Sequence, residues 1–246
     1  FNVLYTHGNL NNHIGVPLTL LRLNNEHDIA IIEMGANQPN DIEELCLIAD
    51  VNAGIITNIG KAHLEGFKNL EGVIKTKSAL FQAVKKVNGI LFYNADDSIL
   101  KPILPDNTQN YSYGMTQATI TGVLHELTPY ISMSWSKKSY SSPIIETKMI
   151  GKYNFYNFLA AICIGSYYGI SQKNISAAIS EYLPDNQRSQ VEKTDKNTLI
   201  IDCYNANPTS MVLALESFKL IEHNKKIAIL GDMLELGPDG IEEHKI

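Results

Sequence analysis

The chain has 246 residues, 44% of them hydrophobic, and a formal net charge of −6. That length and apolar share suffice for one large globular domain or two modest ones. The acidic balance argues against nucleic-acid binding, for which a basic stripe is expected.

Three cysteines, Cys46, Cys163 and Cys203, lie far apart without a C-x-x-C pair. Neither a disulfide framework nor a zinc cluster is indicated, and a reducing cytoplasm fits best. No uninterrupted apolar run approaches the ~20 residues needed to cross a bilayer, and no signal peptide opens the sequence, so no membrane partner is expected. Residues 1–6 read as a strand entered without an initiator Met, and residues 237–246 stop where a helix looks ready to begin. Both features lead us to expect a fragment.

After the first strand, residues 7–15 form a polar, Gly-bearing loop that leads into a helix near residues 16–23. Asn9, Asn11, Asn12 and His13 crowd this loop with hydrogen-bonding groups, which suits turn chemistry, the commoner use, or ligand binding. Residues 28–34 predict the next strand, and its apolar run ends in Glu33. A carboxylate closing a buried strand carries a desolvation cost unless it is paired or bound to a cation. Glu33 is therefore a candidate site residue, with a nearby amide or basic side chain as the plainer partner. A helix is expected over residues 39–49, with Asn40 or Asp41 as cap and Ile42, Leu45 and Ile48 on one face.

Residues 54–59 are a short run with β-branched side chains bounded by Gly60, the pattern of a strand buried on both faces. Asn58, His63 and Glu65 then fall near its carboxyl end, the edge where ligands bind in doubly wound folds. In the following helix Leu70, Val73, Ile74, Leu80, Phe81 and Val84 recur at three- and four-residue intervals and define an apolar face. Lys77 sits on that face. Burial disfavours an ammonium and lowers its pKa, and a neutral amine can react with carbon dioxide to give a carbamate, a carboxylate-like metal ligand. Snorkelling, with the stem packed and the charge in water, is the alternative that the pattern by itself favours.

Residues 89–94 read as another strand. The alternation of strand and helix predicts an α/β fold with a mostly parallel sheet flanked by helices. Between residues 111 and 150 the texture turns to Thr, Ser, Tyr, Ile and Val, which predicts a small antiparallel subsheet with Trp135 and Tyr140 as packing residues. A strongly apolar helix begins at Gly151 and runs to about Tyr168, with Gly169 as its stop. Asn154 and Asn157 share a face of its first turn, either to read a base edge or to cap the helix. A second helix covers residues 171–182.

Beyond Pro184 come a loop at 186–190, strands at 190–193 and 198–203, a helix at 208–221 and a buried strand at 226–230. This series indicates a second, truncated Rossmann-like α/β domain. Pro208 suits a first helical position.

Five stretches, taken together, resemble the Mur ligase family: Thr6-His-Gly-Asn-Leu-Asn-Asn-His-Ile-Gly-Val-Pro-Leu-Thr, Glu33-Met-Gly-Ala, Thr57-Asn-Ile-Gly-Lys-Ala-His-Leu-Glu, Asp202-Cys-Tyr-Asn-Ala-Asn-Pro and Gly231-Asp-Met-Leu-Glu-Leu-Gly. They stand in the family's order across almost the whole chain. The resemblance implies an ATP-dependent ligase of bacterial cell-wall synthesis that activates a carboxylate as an acyl phosphate for attack by an amine. It implies magnesium held by Glu33, His63 and a carbamylated Lys77, and so favours the inward-pointing lysine. It further implies Asn58 and Asn157 facing the adenine, Arg188 the phosphates, Asp202 the nucleotide, and Asn9, Asn11, Asn12 and His13 the UDP-linked peptide.

Within the family, the run from Gly8 to Gly15 favours the reaction that adds D-alanyl-D-alanine to a UDP-N-acetylmuramoyl-tripeptide, carried out by a monomer. Another amino-acid ligase of the family or of the folylpolyglutamate type is the alternative, as is a noncatalytic nucleotide-binding scaffold. The family's phosphate loop, which the resemblance places just before Phe1, does not occur: the sequence contains no G-x-x-x-x-G-K-[ST]. Residues 1–185 are thus expected to be the central ATP-binding domain without that loop, and residues 186–246 the first part of the carboxyl-terminal domain. This chain alone should hardly turn over ATP.

Overall fold

The computed structural model describes residues 1–60, 64–67, 69–234, 236 and 240–245. Its contacts divide the chain into one compact unit of residues 1–91 with 103–110 and another of residues 92–102 with 111–246. Among the described residues no helix is long and apolar enough to cross a membrane.

In the first unit, strand β1 (Val3–Tyr5) pairs in parallel with β2 (Ile29–Ile31), with Tyr5 opposite Ile31. A parallel pair needs a crossover, and helix α1 (Gly15–Leu20) lies within it, burying Val16 and Thr19. Helix α2 (Asp41–Ala49) follows. Asn40 precedes it in a left-handed conformation, φ 75°, and its side chain makes no capping bond. The Asp41 carboxylate instead accepts from the Asn37 and Gln38 amides at 2.9 and 3.0 Å. The buried face is Ile42, Leu45 and Cys46, whereas Ile48 is 43% exposed. At 3.6 residues per turn, six residues past Ile42 lies about one-third of a turn off its face, so the expected face is corrected there.

Strand β3 (Ala53–Ile56) buries Gly54 and Ile56, with Ala53 and Ile55 half-covered. It is therefore not covered equally on both faces, as the apolar run suggested. After the short helix α3 (Leu64–Phe67), helix α4 (Leu70–Lys86) starts at Asn69, whose side chain accepts from the Gly72 amide at 2.9 Å. Val73, Thr76, Phe81 and Val84 are buried, and the helix packs against α2 and β3. Glu71 in its first turn and Lys85 and Lys86 in its last complement the helix dipole. Strand β4 (Ile90–Asn94) carries the point where the chain passes from one unit to the other.

Strand β5 (Gln109–Gly114), which belongs to the second unit from Tyr111 onward, pairs in parallel with β6 (Ile120–Glu126). The subsheet is thus not wholly antiparallel. Strand β7 (Ser132–Lys137) runs antiparallel to β6, and β8 (Tyr140–Ser141) and β9 (Ile145–Glu146) both pair antiparallel with β7. Helix α5 (Lys152–Tyr167) lies on β6 and buries Phe155, Leu159 and Ile162. Trp135 is buried, and its Nε1 donates to Ser176 Oγ at 3.2 Å on helix α6 (Gln172–Glu181). It is a packing residue, as expected.

Strands β10 (Gln190–Lys193) and β11 (Thr198–Ile201) form an antiparallel pair. Helix α7 (Pro208–Leu220) opens on an Asn207 and Ser210 capping box, and α8 (Gly240–Glu243) is a single turn. The strand expected at residues 226–230 is overturned: the segment forms no regular element, with Ile227 84% and Ile229 94% exposed. A strand is stabilised by its neighbours more than by its own propensity, and among the described residues this one joins no sheet.

Candidate functional site

The first unit carries two groups just past the carboxyl ends of its strands. Glu33 follows β2, with its amide bonded to Thr6 Oγ1 at 2.9 Å and one carboxylate oxygen accepting from Asn11 Nδ2 at 2.9 Å. The strand before it is half open and Glu33 is exposed. The buried carboxylate expected from the apolar run is thus corrected to an exposed one with an amide partner.

Lys77 lies on α4, half-buried, and its Nζ donates to the carbonyl oxygen of Asn58, two residues past β3, at 3.3 Å. Burial lowers its pKa. In that exposed contact the lysine meets a neutral acceptor and not an anion.

The Asn-rich loop is partly occupied with its own geometry. Asn12 Oδ1 accepts from the Ile14 and Gly15 amides at 3.1 and 2.9 Å and so shapes the entry to α1. The Asn11 carbonyl accepts from the Gly35 amide at 2.8 Å, which ties the loop to the segment after β2. Asn9 and His13 are exposed on the same loop. His63 lies outside the described residues.

The fit of a magnesium ion rests on donor chemistry. Magnesium takes oxygen ligands, which the Glu33 carboxylate supplies. An ammonium has donors only, so Lys77 fits such an ion only once it has become a carbamate. Among the described residues no group of three or more His, Cys, Asp or Glu side chains is gathered to hold a metal.

The second unit gathers the remaining candidates around the start of α5. Asn154 is buried and donates to the Ile150 carbonyl at 2.8 Å, while its own oxygen accepts from Asn157 Nδ2 at 3.0 Å. The first amide therefore serves the helix, and the second is exposed. Arg188 lies over the Tyr204 ring, 3.9 Å from its centroid. The Cys203 amide donates to the Gln187 carbonyl at 3.0 Å, which holds the Arg188 loop against the segment leaving β11. Asp202 accepts from the Tyr153 hydroxyl at 3.3 Å, and the same hydroxyl is bonded to Ser189.

Tyr153 was not visible as a site residue in the sequence, where it reads as one more aromatic of an apolar helix. The available signal is its spacing: it stands four residues before Asn157, on the same helix face.

Residues 1–165 match the sequence family described as Mur ligase middle domain, and residues 187–245 the one described as Mur ligase, glutamate ligase domain. A UDP-N-acetylmuramoyl-tripeptide--D-alanyl-D-alanine ligase of Bacillus subtilis (strain 168) is 34% identical over 242 residues, which cover 96% of this chain and 51% of that protein. MurF from Acinetobacter baumannii superposes with a TM-score of 0.90 at 28% identity, over 99% of this chain and 53% of that one. MurF ligase from Thermotoga maritima, crystallised in complex with ADP, shares the fold with a TM-score of 0.87 at 24% identity, over 99% of this chain and 56% of that one. The chain spans about half the length of the curated relatives it matches.

Proposed function

The chain belongs to the Mur ligase family, and from that premise we propose that it is the central domain and the start of the third domain of a peptide-bond-forming ligase. The reaction joins D-alanyl-D-alanine to a UDP-N-acetylmuramoyl-tripeptide in peptidoglycan synthesis. ATP phosphorylates the tripeptide carboxylate to an acyl phosphate, the dipeptide amine attacks the acyl carbon, and an amide forms as inorganic phosphate leaves. Residues 1–185 make up the central domain and 186–246 the beginning of the next, a division supported by the spans of the two family matches. The intact enzyme is a cytoplasmic monomer.

In this reading Glu33, His63 and carbamylated Lys77 hold magnesium, which when bound neutralises charge on the phosphoryl oxygens. Asn58 and Asn157 face the adenine, Arg188 the phosphates and Asp202 the rest of the nucleotide. The loop from Asn9 to His13 holds the UDP-linked peptide. Glu33 is supported in its role by Asn11, whose amide orients the carboxylate.

The observation that carries the proposal is the placement of the Lys77 amine, half-buried on α4 with the neutral Asn58 carbonyl at 3.3 Å. A partly desolvated ammonium beside a neutral acceptor gains less than one paired with an anion, and burial lowers its pKa. The neutral amine adds to carbon dioxide and loses a proton, which converts an ill-placed cation into an anionic oxygen ligand. In the full-length protein Lys77→Ala is expected to abolish ligation, and a short-chain carboxylic acid added to the assay to restore part of it. Undiminished activity in that variant would refute the role.

A further inference from the structure

We propose that Tyr153 is a positioning residue for nucleotide binding: its hydroxyl joins Asp202 to the Arg188 loop so that both charged groups are presented together beside Asn157. The inference rests on the reading above, in which Asp202, Arg188 and Asn157 face the nucleotide.

Three segments distant in sequence meet at this one oxygen. Tyr153 belongs to the first turn of α5, Ser189 to the loop before β10, and Asp202 to the segment just after β11. The phenol donates its proton to the Asp202 carboxylate at 3.3 Å and accepts from the Ser189 hydroxyl, so its one donor and an acceptor lone pair are both engaged. Ser189 is buried, which fixes the backbone next to Arg188. Arg188 is held in turn over the Tyr204 ring, on the same segment that carries Asp202.

The charges agree with this arrangement. Burial is the main influence on Tyr153 and raises its pKa, the Ser189 hydrogen bond opposes that, Asp202 raises it further and Arg188 lowers it. Both charged groups therefore sit within electrostatic reach of the phenol. At neutral pH the group stays protonated and remains a donor to Asp202.

The ligand such a site suits is a nucleoside polyphosphate. A guanidinium suits phosphate oxygens, a carboxylate accepts from hydroxyl groups such as those of a ribose, and an amide reads a base edge. Without the phenol hydroxyl, the carboxylate and the loop are free to move apart, and the nucleotide meets two loosened groups.

The test uses Tyr153→Phe in the full-length enzyme, with Arg188→Ala as a reference variant. Losing a hydrogen bond to a charged group predicts a rise of roughly tenfold in KM for ATP, with KM for the UDP-linked peptide unchanged within twofold. In an Asp202→Ala background, removing the Tyr153 hydroxyl should add less than a twofold further rise, because the partner through which it acts is gone. If Arg188→Ala raises KM for ATP while Tyr153→Phe does not, the positioning role fails and the nucleotide reading stands. If neither does, the nucleotide reading fails as well. An equal rise in both KM values marks Tyr153 as a general structural residue and overturns the proposal. Should Tyr153→Phe fold poorly, Ser189→Ala tests the same link from its other side, with a smaller selective rise expected and none overturning the link.

Discussion

The Asn11 side-chain amide donates a 2.9 Å hydrogen bond to the Glu33 carboxylate, while the Asn11 carbonyl accepts from the Gly35 amide at 2.8 Å. One asparagine thus bonds both the acid and the backbone two residues beyond it. The side-chain bond orients the acid, and the backbone bond holds the loop that supplies it.

Those two functions separate in Asn11→Leu, which keeps the backbone bond and removes the donor. An outer partner of a metal-binding carboxylate is worth roughly tenfold or more in metal affinity. On the proposed reading, in which Glu33 holds magnesium, the full-length variant should need roughly tenfold more magnesium for half-maximal ligation, with its thermal midpoint little changed. A magnesium titration of activity checks this. An unchanged requirement would remove Asn11 from the support of Glu33.

The cysteines give a pH prediction with a definite sign. Burial pushes Cys46 up to about 11, with a smaller contribution from Glu43, and Cys163 up to about 12, with Lys137 opposing, against an ordinary value of 9.0. Cys203 is exposed. The thiolate is the nucleophile, so at pH 8 a small alkylating reagent should modify Cys203 and leave the other two intact, as peptide mass spectrometry would show. Folding holds those two protons more tightly than the unfolded chain does. Their contribution to stability is therefore full below about pH 9 and is lost as pH rises towards 11 and 12. Denaturation midpoints measured across that range should fall more for the native protein than for Cys163→Ala.

Gly15 opens α1 against the backbone of Leu10: a Cβ there would stand 2.3 Å from the Leu10 carbonyl carbon and 2.4 Å from its Cα. Backbone atoms cannot rotate aside as a side chain can. Gly15→Ala should cost about 2 kcal/mol or more through forced displacement of the Asn-rich loop, measured by chemical denaturation. On the proposed reading, in which Asn9 and His13 on the displaced loop hold the UDP-linked peptide, it should also weaken binding of that peptide.

Local chemistry made much of this molecule legible. The stripe of α4, the Pro208 start of α7 and the Gly169 stop after α5 each depend on residues within a few positions of one another, where periodicity and helix-end rules act. The half-buried position of Lys77 was legible for the same reason, since a charge on an apolar stripe is a local anomaly. What escaped depended on distant partners. Tyr153 acquires its role from Ser189 and Asp202, 36 and 49 residues away, and a tyrosine in an aromatic-rich helix gives no hint of them. Residues 226–230 have the composition of a strand, yet composition carries no information on whether an edge is there to receive it. Asn11 and Asn12 could not be separated by type either, because one amide turns back on its own loop and the other reaches an acid 22 residues on.

Gly151, at the start of α5, has φ +85°, and a Cβ on it would stand 2.6 Å from the Tyr153 ring. The place of that phenol is therefore written in the bareness of a neighbouring α-carbon as much as in its own two acceptor and donor partners. A methyl group at Gly151 would both strain the chain and push the ring away. On the proposed reading, a substitution at Gly151 thus reaches the nucleotide site through a position that carries no side chain of its own.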